Sequence, residues 1–220
     1  VYILDWHDTD VCGNAVNFPN SGRVYRIMPK GARAVARPNL GAMSDTQLVE
    51  LQTHSNDWYV RHSRTLLQSR SASGKLDASA VHAQLEELFE SAATSAKRLR
   101  ALWALQVTGG LDLTRLTSLL THADEHVRSW AIQFLCDASA ANAFQDASQV
   151  SSSPVEKSVL EQFAVMAKNE TSAIVRLYLA SAVQRLPFAD RWSILEGLAS
   201  HGEDVDDNNL PRMYWFGLEP

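Results

Sequence analysis

Cysteine is scarce in this sequence, and its two cysteines lie far apart. Cys12 and Cys136 are the only ones in 220 residues, and no CxxC or CxxCH motif occurs. These absences exclude a haem attached through CxxCH and a zinc site built from closely paired cysteines. The G-x-S-x-G, P-loop and glycine-rich dinucleotide motifs are absent too, so no familiar nucleophilic or nucleotide-binding chemistry is indicated.

Basic charge and long apolar runs are also lacking. The chain has 20 Lys and Arg residues against 25 Asp and Glu residues, which gives a formal net charge of −5. Nucleic-acid binding needs clustered lysine and arginine to neutralise phosphates, so we expect no nucleic-acid partner. No stretch approaches the roughly 20 apolar residues of a transmembrane helix, so we expect no membrane span.

Residues 1–29 differ in composition from everything that follows. VYILDW and GRVYRIMP are rich in β-branched and aromatic residues, and the sequence between them is rich in turn-forming Gly, Asn, Asp and Pro. This predicts a strand, a long loop and a second strand. Two strands alone are marginally stable, so we expect them either to belong to a sheet whose other strands lie elsewhere or to pack against the helices of this chain. Residues 30–43 are predicted to be a linker.

A cluster of metal-ligand residue types lies in the predicted loop. His7, Asp8, Asp10 and Cys12 fall within six positions and could form a metal site or a catalytic centre. The alternative, which we favour, is that the aspartates cap backbone N–H groups in a turn. Both interpretations stay open on the sequence alone.

From Ser44 to the end, apolar residues follow a helical period, and Ser44 with Gln47 is predicted to form a capping box at its start. Five segments share a residue of the helix-capping type followed four positions later by arginine, and in three of them valine precedes the arginine. The arginines follow one another at intervals of 37, 30, 48 and 36 residues. The repeat positions are Asp57 and Arg61, Thr94 and Arg98, Asp124 and Arg128, Ser172 and Arg176, and Asn208 and Arg212.

Each repeated segment opens a helix that is preceded by another amphipathic helix, so about five helix pairs are predicted. Units of this kind bury their faces against their neighbours and build an α-solenoid. The predicted fold is therefore mainly α, a HEAT-like α-solenoid over residues 44–220 with a short N-terminal β-hairpin-like segment. Its second helices are expected to line the concave face.

The repeated arginines and the tryptophans have two interpretations each. Arg61, Arg128 and Arg176 could bind phosphates, but we favour arginines that lie along the stack and bond to neighbouring carbonyls or to an Asp of the adjacent repeat. The tryptophans at helical spacing are predicted to pack in the core rather than to form a cofactor cage. They are Trp58, Trp103, Trp130 and Trp192. The acidic stretch that starts at Glu203 could bind Ca²⁺ through its acceptor side chains at 203–209, but we favour a solvated acidic turn that caps the last helix.

The ends of the chain resemble a known family. The head DWHDT…SGRVYRI and the tail HGEDVDDNNLPRMYWFGLEP are similar to those of large exported proteins of planctomycetes and verrucomicrobia, known as membrane-bound dehydrogenases. In that family a β-propeller like that of quinoprotein dehydrogenases precedes HEAT repeats and often a cytochrome c domain. The resemblance implies that residues 1–29 are the last propeller strands of a larger parent protein. It also implies that quinone and haem c belong to other parts of that parent, and that the parent is periplasmic or in the cell envelope.

Three functional hypotheses follow. The first is a non-catalytic scaffold that positions redox domains or partner proteins, with no cofactor of its own. The second is a metal-binding or catalytic site at the N-terminal cluster. The third is a stand-alone protein–protein interaction module. Because the chain starts at Val1 within a strand-like run, we expect a fragment of a longer protein.

Overall fold

A computed structural model describes residues 1–5, 22–32, 38–137 and 155–219. This part of the chain is mainly helical, with ten α-helices and one two-stranded sheet, which confirms the predicted mainly α class. The chain divides into two compact units, Val1–Asn39 and Leu40–Pro220. The division falls inside the 30–43 segment that the sequence predicts as a linker.

The first unit contains a pair of antiparallel strands, β1 (Tyr2–Asp5) and β2 (Arg23–Arg26), with Ile3 opposite Tyr25 and Leu4 opposite Val24. Neighbouring side chains in a strand point to opposite faces, so these apolar residues lie on both sides of the sheet. All of them are exposed, Leu4 by 77% and Val24 by 67%.

In the described part of the second unit the helices follow one another as five pairs. Within each pair the two helices contact each other. The helices are α1 (Asp45–Glu50), α2 (Asp57–Ala72), α3 (Ala78–Ser91), α4 (Ser95–Thr108), α5 (Leu113–Leu119), α6 (Glu125–Asp137), α7 (Lys157–Asn169), α8 (Ala173–Val183), α9 (Trp192–Ala199) and α10 (Leu210–Leu218).

The second helices of the pairs form a continuous row. Helix α2 packs on α4, α4 on α6, α6 on α8, and α8 on α10. Among the first helices, α1 packs on α3 and α7 on α9. Each helix pair therefore contacts the pairs that precede and follow it in the sequence.

The core of this unit lies between the helix layers and forms two clusters. The smaller cluster joins α1 to α4 around Leu48, Leu67 and Leu85. The larger one runs from α3 to α9 and includes Phe163, which is fully buried. Cys136 is buried in the larger cluster, as its apolar context predicts, and burial raises the pKa of its thiol to about 12.

Most helix starts carry the caps that the sequence indicates. Ser44 and Gln47 form a complete capping box at α1, and the side chains of Thr94 and Ser172 accept from the backbone of α4 and α8. The predicted cap at Asp57 is wrong, since Asn56 supplies the capping oxygen and Asp57 is the first helical residue.

The start of α10 differs in the same way. Asn208 was expected to cap this helix, but the Asp207 carboxylate accepts the N–H groups of Asn209 and Leu210. A carboxylate at this end is also favoured by the helix dipole. The prediction that the acidic stretch caps the last helix thus holds for Asp207.

Candidate functional site

Three of the repeated arginines make the same backbone contact, and we call Arg98, Arg128 and Arg176 the arginine ladder. Each lies in the first turn of a second helix and donates to the carbonyl six residues earlier, in the connection from the preceding helix. This contact satisfies a carbonyl that the helix end leaves without a partner. The donor–acceptor pairs are Arg98 Nη2 to Ala92 O (2.8 Å), Arg128 Nη1 to His122 O (2.8 Å) and Arg176 Nη1 to Glu170 O (2.9 Å).

Each ladder arginine also binds a carboxylate from the following helix pair. The acceptor lies in the connection between the two helices of that pair, so the contact joins consecutive pairs. Guanidinium–carboxylate contacts of this kind combine charge with fixed geometry. The contacts are Arg98 Nη1 to Asp124 Oδ2 (3.0 Å), Arg128 Nη2 to Glu170 Oε1 (2.8 Å) and Arg176 Nε to Asp204 Oδ2 (2.8 Å).

The first and last repeated arginines do not belong to the ladder. Arg61 is exposed and pairs with Asp57 one turn away on its own helix. Arg100 of α4 takes the equivalent place, because its guanidinium donates to His54 O at 3.1 Å and to Asp57 Oδ1 at 3.3 Å. Arg212 is exposed on α10. Arg100 does not follow the repeated spacing, so its contacts with the first helix pair could not be predicted from the sequence.

The last ladder contact is the most deeply buried. Arg176 is 2% exposed and Asp204 is 4% exposed, and the Tyr214 hydroxyl donates to Asp204 at 2.6 Å. Burial opposes the Asp204 charge, yet the hydrogen bonds from Arg176 and Tyr214 outweigh it and lower the pKa of the carboxyl. Asp204 is therefore not part of a solvated acidic turn. It is one half of a buried ion pair.

The ladder predicts acid sensitivity. Hydrogen bonds and nearby positive charge outweigh burial and lower the pKa values of Asp124, Glu170 and Asp204. A carboxyl with a lowered folded pKa stabilises the fold above its unfolded pKa of about 4, and this contribution is lost as the pH falls through the folded value. We expect the free energy of unfolding, measured by urea denaturation, to fall between about pH 5 and pH 3.

Glu170→Gln isolates one ladder carboxylate in that measurement. The variant should lose less stability than the wild type over the same acid range, because glutamine cannot be protonated there. Glu196→Gln, at an exposed position of α9, is the control and should follow the wild type. Parallel curves for wild type and Glu170→Gln would contradict a role for the ladder in acid unfolding.

His54 and His122 lie in similar sequences, THSND and THADE, and they make the same contact. The Nδ1 atoms of His54 and His122 each accept the backbone N–H two residues later, from Asn56 and Asp124, at 2.9 Å. An Nδ1 atom that accepts a hydrogen bond carries no proton. Burial, followed by the charge of Arg98, lowers the pKa of His122, so this histidine serves as a neutral acceptor.

A second surface lies along the row of second helices, and we call Arg61, Arg64, Arg100, Trp103 and Trp130 the basic–aromatic patch. The Arg64 guanidinium lies 5.2 Å from the centre of the Trp103 ring, and the Trp103 and Trp130 rings are 5.1 Å apart in an edge-to-face arrangement. These are cation–π and aromatic distances. Tyr178 of α8 continues the aromatic row, 6.3 Å from Trp130.

The tryptophans differ in burial. Trp103 and Trp130 are half-buried and pack against neighbouring helices. The prediction of core packing is wrong for Trp58 and Trp192, which are 47% and 52% exposed. Trp58 packs against His62 of its own helix, and Trp192 meets Phe188 edge to face.

The predicted metal cluster His7, Asp8, Asp10 and Cys12 lies outside the described residues. Within the ranges that the structure describes, no three His, Cys, Asp or Glu side chains are grouped to hold a metal ion. A search of the same ranges finds no helix with the length and hydropathy needed to cross a membrane.

Comparison with known proteins adds no family. Neither a family model nor a curated protein matches this chain.

Proposed function

We propose that residues 44–220 form a HEAT-like α-solenoid of about five helix pairs. The unbroken row of second helices supports this arrangement, since each pair contacts its neighbours in order. The arginine ladder supports it as well, because the same carbonyl and carboxylate contacts recur at three successive junctions. Side-by-side repetition of one junction is what distinguishes a solenoid from a closed bundle.

The solenoid acts as a non-catalytic scaffold that binds proteins along its second helices. The observation that carries this proposal is the strip of half-buried aromatic and charged side chains on the row of second helices, namely Arg64, Arg100, Trp103, Trp130 and Tyr178. Tryptophan, tyrosine and arginine are the residues that contribute most to protein–protein binding. A groove of about 430 Å³ extends the strip between α6, α8 and the start of α10.

In the larger protein that the sequence resemblance implies, the scaffold positions a propeller dehydrogenase domain and an electron-accepting domain. Residues 1–29 are then the closing strands of the propeller. The exposure of Ile3, Leu4, Val24 and Tyr25 supports this part of the proposal, because a sheet with apolar side chains on both faces needs covering on both.

Site-specific photocrosslinking tests the scaffold proposal. Benzoylphenylalanine is placed at Gln133 or Ser181, which line the groove on the second helices, in the intact protein in its own cells. Crosslinks to another protein, or to another domain of the same chain, are expected from these positions after illumination.

Matched positions on the first helices provide the control. Thr114 of α5 and Glu161 of α7 are exposed and should give few or no crosslinks. Equal labelling from first and second helices, or crosslinks from the first helices alone, would contradict the proposed binding face.

A further inference from the structure

The basic–aromatic patch holds more positive than negative charge, although the chain as a whole is acidic. The charges that act most strongly on Arg64 are one carboxylate, Asp57, and two guanidinium groups, Arg61 and Arg100. Asp57 is shared, since its Oδ2 binds Arg61 and its Oδ1 binds Arg100. Arg64 is therefore the guanidinium of the patch that this carboxylate does not bind directly.

Two hydrogen-bond donors in the patch are unused. Among the described residues, Arg64 Nη1 and Trp103 Nε1 are buried and have no acceptor. An unmade hydrogen bond at a buried donor is costly, and a charged donor costs more than a neutral one. Burial, and then the repulsion of Arg61 and Arg100, also lowers the pKa of Arg64, so its environment disfavours the charge that an arginine keeps.

The two donors belong to side chains in contact with each other. Arg64 lies over the Trp103 ring, and Trp103 meets Trp130, so the unused donors belong to neighbouring side chains of the patch. An incoming carboxylate can meet the guanidinium of half-buried Arg64, while an apolar side chain next to it can rest on the tryptophans.

We propose that the basic–aromatic patch binds an acidic segment of a partner protein, in which carboxylate side chains alternate with apolar ones. The half-buried side chains of Arg64 and Trp103 turn toward the segment, so that its carboxylates accept from the guanidinium and the indole and offset the charge of Arg61 and Arg100. The apolar side chains cover the exposed parts of Trp103 and Trp130. This inference rests on the proposed scaffold function and names the chemistry of the partner.

The composition of the patch favours a protein over a nucleic acid. A phosphate backbone needs many cations spread over a long surface. The patch instead concentrates three arginines beside one carboxylate on α2 and α4, in a chain of net charge −5. Continuity with the apolar rings of Trp130 and Tyr178 suits alternating acidic and apolar side chains.

Fluorescence anisotropy with the whole 220-residue chain tests the inference. The probe is a fluorescein-labelled decapeptide of alternating Glu and Leu, and the comparison peptide has Gln in place of Glu. We expect the Glu peptide to bind and the Gln peptide to bind at least about tenfold more weakly, since charge-assisted hydrogen bonds are lost. Raising the salt concentration should weaken the Glu peptide further.

Arg64→Gln is the informative variant. It removes the unsatisfied guanidinium and should preserve the fold, which circular dichroism checks, while weakening the Glu peptide about tenfold. Arg212→Gln, an exposed arginine on α10, is the matched control and should leave binding unchanged.

Indole N–H signals in ¹H–¹⁵N spectra give a second readout. The Trp103 signal, assigned with Trp103→Phe, should shift when the Glu peptide binds because its N–H gains an acceptor. The Trp215 signal should stay in place, since Trp215 Nε1 already donates to Glu219 at 2.7 Å.

The outcomes separate this inference from the scaffold proposal. If the Glu peptide does not bind, or if Arg64→Gln does not weaken its binding, the proposal of an acidic partner is wrong. This conclusion would hold even if the second helices still gave crosslinks. Tighter, Arg64-dependent binding of a ten-nucleotide single strand overturns it in favour of a nucleic acid. Crosslinks from the first helices alone overturn the scaffold proposal itself.

Discussion

Replacing Asp204 by alanine is expected to lower the free energy of unfolding by about 3–5 kcal/mol. The substitution leaves the guanidinium of Arg176 buried without its bidentate acceptor, and Tyr214 also loses its hydrogen-bond partner. The loss of the close acceptor is the costly element, because Arg176 is 2% exposed and its remaining carboxylate, Glu203, is exposed and 3.6 Å from Nη2. Urea unfolding followed by circular dichroism measures the effect.

Two further variants make this prediction specific. Asp206→Ala, at an exposed position of the same turn, should change stability by less than about 0.5 kcal/mol. The double variant Arg176→Met, Asp204→Leu should recover most of the loss, because replacing a buried ion pair by apolar residues is often neutral. A loss below about 1 kcal/mol for Asp204→Ala would show that the pair is hydrated in solution.

Phe163→Ala is the second substitution with a large expected effect, a loss of about 3–5 kcal/mol. Phe163 lies on α7, is fully buried and belongs to the larger core cluster, which also contains residues of α8 and α9. Removing the ring leaves a cavity where these helices meet, and its surroundings can close only in part.

Phe216→Ala is the control of equal chemistry. Phe216 is 49% exposed on α10, so its loss should cost less than about 1 kcal/mol. Thermal unfolding of both variants at one concentration compares them. Similar melting temperatures would mean that α7 is not held in the core as described.

The features that sequence predicted well are local ones. Capping by Ser44, Thr94 and Ser172 depends on the first turn of one helix, and a short stretch of sequence contains both partners. The helical period of the apolar residues, from which five helix pairs were predicted, is also visible within short stretches of sequence. The strands Tyr2–Asp5 and Arg23–Arg26 were indicated by their β-branched and aromatic content.

The features that sequence missed depend on contacts between distant residues. Sequence predicted that Arg128 and Arg176 bond to neighbouring carbonyls or to an Asp of the adjacent repeat, but it did not identify Glu170, which lies 42 positions from Arg128. The acidic run near Asp204 likewise does not reveal which of its carboxylates is buried. Arg100 and Arg64 are ordinary helical arginines in the sequence, because their environment comes from two different helices. The exposure of Trp58 and Trp192 was not predicted, because a helical period shows on which side of a helix a residue lies but not whether another helix covers that side.

The arginine ladder has a consequence for how such an array can change during evolution. At three successive junctions, from the second pair to the fifth, a guanidinium on one pair joins a carboxylate on the next, while the number of residues between them varies. A helix pair can bind the neighbours on either side if it has a carboxylate in the loop between its two helices and an arginine in the first turn of its second helix. Gene duplication, loss or recombination of whole pairs would therefore preserve the junctions, and the length of the array could vary among relatives without redesign of its core.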